Sequence, residues 1–262
     1  MAEIIAIANQ KGGVGKTTTT LNLGYSLKDL GKKVWMIDFD SQANLTTCFG
    51  IEKPNAIETN IAHLMMARMD DEDLPDKSEY IISDDGIDII PSSIFLSVVD
   101  ANLRLEMGAE RLLAEILESL IDEYDYIIID TSPSLGSLTV NALSAADSVI
   151  ITVNPQLLAM MGLQDFLKTT RKIQKRINSK LKIKGILLTM CDTRTNLSKI
   201  LSEQVNEAYN GVINIYDTRI PMTVKVGEAI YYGQSVAQYC PTSTASIAYQ
   251  DFAKEMVANE ER

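Results

Sequence analysis

The residues best suited to chemistry lie in one stretch, Gln10-Lys11-Gly12-Gly13-Val14-Gly15-Lys16-Thr17-Thr18, directly after the apolar run at 3–8. Glycines let a backbone turn tightly and point its N–H groups inward. Those donors, with the dipole of a following helix, make an anion site. Lys16 would reach the β- and γ-phosphates of a nucleotide, Thr17 would set its hydroxyl on Mg2+, and Thr18 would contact the α-phosphate. The usual cradle, G-x-x-x-x-G-K-[ST], needs its first glycine at position 10, where this chain has Gln10. A second lysine, Lys11, has no task in an ordinary cradle.

Two further sets of acids complete the chemistry. In YIIID, Asp130 ends an apolar strand, which fits a Walker-B acid holding magnesium through water. In WMIDFDSQAN, Asp38 and Asp40 stand at i and i+2, a spacing that puts both on one face of a strand. Both are expected to point toward the γ-phosphate edge. Asp40, nearer the loop, is assigned to orient or deprotonate the attacking water, and Asp38 to support the metal shell.

These residues need a scaffold, and the chain supplies one. Short β-branched runs at 3–8, 32–40, 86–91, 125–130, 148–153, 182–190 and 212–221 read as strands. Between them, 16–30, 103–123, 158–178 and 242–258 read as helices, with Leu105, Leu112, Leu113, Ile116, Leu117 and Leu120 at helical spacing. Near-continuous apolar strands are covered on both faces. The alternation predicts a single α/β domain over 1–262, a mostly parallel twisted sheet with helices on both faces. Ligands in such sheets sit at the carboxyl ends of the strands, where the glycine loop, Asp38, Asp40 and Asp130 all fall.

Bulk composition excludes several classes. Hydrophobic residues are 46% and charged residues 23% of the 262, enough to build a full core. No apolar run approaches the ~18–20 residues that span a bilayer, and the start does not read as a signal peptide. Cys48, Cys191 and Cys240 are far apart and odd in number, the usage of a reduced cytosolic protein. His63 stands alone and reads as a surface or boundary residue. The net charge is −11, so any contact with DNA needs a local basic patch.

KGGVGKTT, DFDSQANLT, YIIIDTSPSLGSLTVNAL, ILLTMCDTRTNLS and IPMTVKVGEA together resemble the ParA/Soj partition ATPases of the wider ParA/MinD family, from residue 3 to about 258. The motifs fall at 10–18 (deviant Walker A), 38–44 (Walker A′) and 126–131 (Walker B). The resemblance implies a P-loop NTPase that binds ATP or ADP with Mg2+ and hydrolyses ATP slowly. It gives Lys11 a task. In this family that lysine crosses into the partner subunit's site as two subunits sandwich two ATP molecules, adding positive charge where charge develops on the phosphates. Gly12 would let the two backbones approach closely. The resemblance also places Met190, Asp192, Pro221 and Thr223 around the adenine. Relatives commonly read Ile-Pro-Arg-Asn where this chain has Ile220-Pro221-Met222-Thr223.

The resemblance further implies non-specific DNA binding by the ATP dimer, at positions matching Arg194 and Lys225. Lys168, Arg171, Lys172, Lys175 and Arg176 add a cationic helix, and such phosphate contacts are strongly salt-sensitive. Stretch 239–249 has no basic residue where many relatives carry arginines. A ParB-like partner would stimulate hydrolysis, binding on the dimer's flank near 158–178. The chain's end, DFAKEMVANEER, is acid-balanced, unlike the basic membrane-anchoring helix of MinD. The expected place is the cytoplasm, on the nucleoid. Two other readings stand beside partition of a plasmid, chromosome or mobile element. One is an ATP-locked scaffold acting on protein partners without DNA. The other is a family member that positions other cargo.

Overall fold

A computed structural model describes residues 1–118, 120–192 and 194–260, with backbone alone at 157–161 and 197. Its elements, in chain order, are β1 (Glu3–Ala8), α1 (Lys16–Asp29), β2 (Val34–Phe39), α2 (Asn44–Cys48), α3 (Ile61–Met69), α4 (Lys77–Tyr80), β3 (Ile82–Asp84), β4 (Ile87–Ile90), α5 (Leu96–Asn102), α6 (Leu112–Glu118), β5 (Tyr126–Thr131), α7 (Ser137–Ala145), β6 (Ser148–Val153), α8 (Leu157–Arg176), β7 (Lys182–Cys191), α9 (Asn196–Tyr209), β8 (Ile215–Pro221), α10 (Val224–Tyr231), α11 (Val236–Tyr239) and α12 (Thr244–Glu260).

Among the described residues the strands form one eight-stranded sheet, ordered β3-β4-β2-β5-β1-β6-β7-β8. Every pairing is parallel except β3 with β4. Alternate residues of β1 serve opposite faces. Ile4, Ala6 and Ala8 join the core that includes Leu64, Ile116, Ala142 and Phe166. Ile5 and Ile7 join Leu21, Leu23, Phe252 and Met256 of α1 and α12. Burial on both faces explains why β1, β2, β5 and β6 read as unbroken apolar runs. β1 lies between β5 and β6, so the chain builds outward on both sides of it. Its carboxyl end is the topological switch point, where such sheets bind ligands.

The expected helix over 103–123 is broken. Gly108 takes a left-handed φ of 75°, a single 3-10 turn follows at Ala109–Arg111, and α6 begins at Leu112. Leu105, one of the residues at helical spacing, is 88% exposed. Strand 86–91 is the second arm of a hairpin with β3, turned by Asp85 (φ 45°) and Gly86 (φ 75°). Asp-Gly in a two-residue loop is a hairpin signal the sequence carried. α9 and α10 form in segments where the sequence pattern predicts no helix.

Candidate nucleotide site

The glycine loop turns as its composition requires. Gly13 and Gly15 have φ of 69° and 78°, which side-chain-bearing residues rarely adopt. Gly15 caps α1, and its carbonyl accepts from Thr19 N (2.9 Å). Val14 is buried under the loop, and its carbonyl accepts from Thr189 Oγ1 (2.8 Å). Lys16, only 7% exposed, donates from Nζ to the Lys11 carbonyl (3.2 Å). Burial pulls its ammonium below the usual lysine range, while the charges of Asp130 and Asp40 oppose that shift.

Thr17 Oγ1 donates to Asp130 Oδ2 (2.6 Å), whereas Asp130 Oδ1 is buried with no hydrogen-bond partner. Burial first, and the neighbouring Asp38 charge second, push the Asp130 carboxyl well above the ordinary carboxylate range. Asp38 sits opposite it in the β2–β5 register. Among the described residues no three His, Cys, Asp or Glu side chains converge as a metal cage. A hydroxyl and an unsatisfied carboxylate oxygen instead suit Mg2+, which keeps waters and takes phosphate oxygens.

Asp38 and Asp40 differ more than their i, i+2 spacing predicts. The expectation that both reach the phosphate edge is corrected for Asp38. It is fully buried, its Oδ2 accepts from Thr46 N (2.8 Å) and Thr46 Oγ1 (2.6 Å), and its Oδ1 accepts from Asp40 N (3.3 Å). Both oxygens are thus engaged by protein donors, from Thr46 of α2 and from Asp40 N. Asp40 lies at the strand's end, with Oδ1 accepting from Gln42 N (3.1 Å). Together with Asp130 it supplies the negative charge that acts on the Lys16 ammonium. Thr46 passed unassigned in the sequence because its partners, Asp38 and Ser92, are eight and 46 residues away.

Lys11 lies at the rim. Its N–H donates to Asn9 Oδ1 (3.0 Å), and its ammonium reaches Gln156 Oε1 (3.2 Å) at the surface. Gly12 is exposed. Its φ is not left-handed, and an added Cβ would meet only Pro133 Cβ at 3.7 Å.

Beside the loop, Thr18, Met190, Pro221, Thr223, Gly227 and Tyr249 line a cavity of about 280 Å³. Met190 is a non-glycine residue at φ 52°, the kind of backbone strain that clusters at ligand sites. Asp192 does not line this cavity. Arg194 grips its carboxylate through Nε (2.9 Å) and Nη2 (3.0 Å) and holds it down at about 2. A larger hollow of about 570 Å³, around Glu3, Lys184 and Glu260, opens at the amino ends of the strands, away from the glycine loop.

A family model described as an AAA domain matches residues 2–183. The chain is 42% identical to the sporulation initiation inhibitor protein Soj of Bacillus subtilis over 99% of its own length and 100% of the relative's. It is 36% identical to the chromosome partitioning protein ParA of Caulobacter vibrioides, over 98% and 94%. The chain belongs to the ParA/Soj family. Among solved structures it resembles cobyrinic acid a,c-diamide synthase of Mycobacterium smegmatis with bound ATP analog and magnesium (TM-score 0.85, 30% identity, 100% and 96% covered).

As a ParA/Soj protein it is an ATPase. The two positions matched to the family's DNA contacts both carry acid partners within the chain. Arg194 is paired with Asp192, and Lys225 donates to Glu228 Oε2 (2.7 Å). On α8, Lys168 pairs with Asp165, whereas Arg171, Lys172, Lys175 and Arg176 are exposed. The side chains at 157–161, part of the expected partner flank, lie outside the described residues. Among the described residues no helix is long and apolar enough to cross a membrane.

Proposed function

We propose that this chain is an ATP-driven dimerising switch for DNA partition. ATP or ADP with Mg2+ is its ligand set, and the reaction is ATP plus water to ADP plus phosphate. The loop N–H groups and Lys16 hold the β- and γ-phosphates, and the cavity beside Thr18 takes the base. Thr17 and Asp130 hold the metal position. Bound Mg2+ would supply positive charge that offsets the charge on the phosphates. Asp40 orients the attacking water. Lys11 leaves Gln156 and enters the partner's site, where its charge meets the triphosphate. After hydrolysis less charge remains to hold it, so the dimer reports the nucleotide. The dimer then holds DNA non-specifically, which places it on the nucleoid, and a ParB-like partner accelerates the reset.

The observation that carries this reading is Gly12. Its own chain gives no reason for a glycine, since neither a left-handed φ nor a crowded Cβ demands one. The demand is external, from a second backbone at the loop. Gly12→Val should still bind nucleotide yet stay monomeric in sedimentation with ATP. An intact mutant dimer would refute the reading.

A second reading, an ATP-locked scaffold without DNA, is favoured by the acid partners on Arg194 and Lys225 and by the lack of basic residues over 239–249. Gel shifts with random-sequence DNA separate the two. Retention that needs ATP and fades from low to moderate salt supports partition, and no retention with ATP at low salt supports the scaffold.

A further inference from the structure

We infer that Thr46 is a positioning residue for Asp40, an inference that rests on the role of Asp40 proposed above. Thr46 lies in α2, fully buried. Ser92 N, just past β4, donates to its Oγ1 at 2.9 Å. An amide N–H only donates, so it takes an oxygen lone pair and leaves the hydroxyl hydrogen for another acceptor. That acceptor is Asp38 Oδ2 at 2.6 Å, which also receives Thr46 N–H at 2.8 Å. The other oxygen of the same carboxylate receives Asp40 N–H. One side chain thus staples both ends of the segment that carries Asp40.

That segment needs a staple. Ala43 is held at φ 51°, a left-handed conformation for a residue with a side chain, and such strain persists only where the surroundings fix it. Within the turn Ala43 N donates to Asp40 O (2.9 Å) and Gln42 N to Asp40 Oδ1 (3.1 Å), so the turn itself aims the Asp40 carboxylate. Thr46 ties the turn to β2 through Asp38 and to the end of β4 through Ser92. Valine has the same shape but no donor. It would leave Asp38 Oδ2 with one bond fewer and Ser92 N–H without its acceptor, and the aim of Asp40 would loosen.

The test is phosphate release by the full chain carrying Thr46→Val or Thr46→Ser, with ATP-dependent dimers followed by sedimentation. Thr46→Val should lower kcat by about tenfold or more while KM for ATP stays within about twofold and dimers persist, because misplacing a group by ~1 Å costs rate rather than binding. Thr46→Ser, which keeps the hydroxyl, should return kcat to near wild type. Thr46→Ala serves in place of valine if the latter does not fold. Wild-type kcat without the hydroxyl, loss of ATP binding in parallel with rate, or failure of serine to restore the rate would each overturn the inference. Asp40→Ala separates the layers. If it hydrolyses normally, the reading of Asp40 fails; if it is inactive while Thr46→Val is fully active, only the role of Thr46 fails.

Discussion

Asp38 and Asp130 face each other across neighbouring strands, both fully buried. Burial pushes the Asp38 carboxyl up to about 7, even though the Thr46 and Asp40 donors favour its charged form. An unfolded aspartate titrates near ~3.9. A carboxyl raised on folding contributes stability that is full below the unfolded value and is lost as pH rises through the folded one. In Asp38→Asn nothing titrates at this position. In thermal melts without nucleotide, the melting temperature of Asp38→Asn relative to wild type should therefore climb between pH 5 and pH 8. A difference that stays flat across that window would contradict the assignment. In the proposed reading Asp40 carries the chemistry, so Asp40→Ala should keep ATP-dependent dimers and lose turnover, and full phosphate release by that variant would reject it. The glycine loop and Asp130 were legible in the sequence because strand, loop and helix are contiguous there. Thr46, Ser92 and Tyr249 were not, since only folding brings them to the acids and the cavity.

Among the elements, the outer strands are set by contacts that local patterning does not encode. Gly185 lies in β7 beside the start of β8. A Cβ built there would stand 2.7 Å from Tyr216 Cε2 and 2.9 Å from Asn214 Nδ2. Gly185→Ala should cost about 1–3 kcal/mol by overpacking, lowering the melting temperature by roughly 2–4 °C per kcal/mol. An unchanged melt would show that β8 shifts freely. The same distinction explains the reading of the helices. α1, α8 and α12 emerged within two residues of their expected ends because each is one unbroken helix. The 103–123 segment looked helical by its leucines, but Gly108 interrupts it and Leu105 faces solvent. The β3–β4 hairpin announced itself only through Asp85-Gly86, and its short, half-exposed strand has little apolar pattern.

At the scale of the molecule, one sheet carries two ends of different chemistry. The carboxyl ends hold the loop, the acids and the cavity beside Thr18. At the amino ends, Lys184 joins Glu3 (2.6 and 2.7 Å) to Glu260 at the end of α12 (2.5 Å), fixing the helix whose Tyr249 lines the cavity. The protomer alone leaves Lys11 and Gly12 at its surface without a catalytic task. In the proposed function a second protomer gives them one. That role is tested most directly by a crystal structure of the chain with a non-hydrolysable ATP analogue and Mg2+. The expected result is a twofold dimer with each Lys11 Nζ on its partner's γ-phosphate. A nucleotide-bound chain whose Lys11 still rests on its own Gln156, with no twofold mate across Gly12, would contradict it.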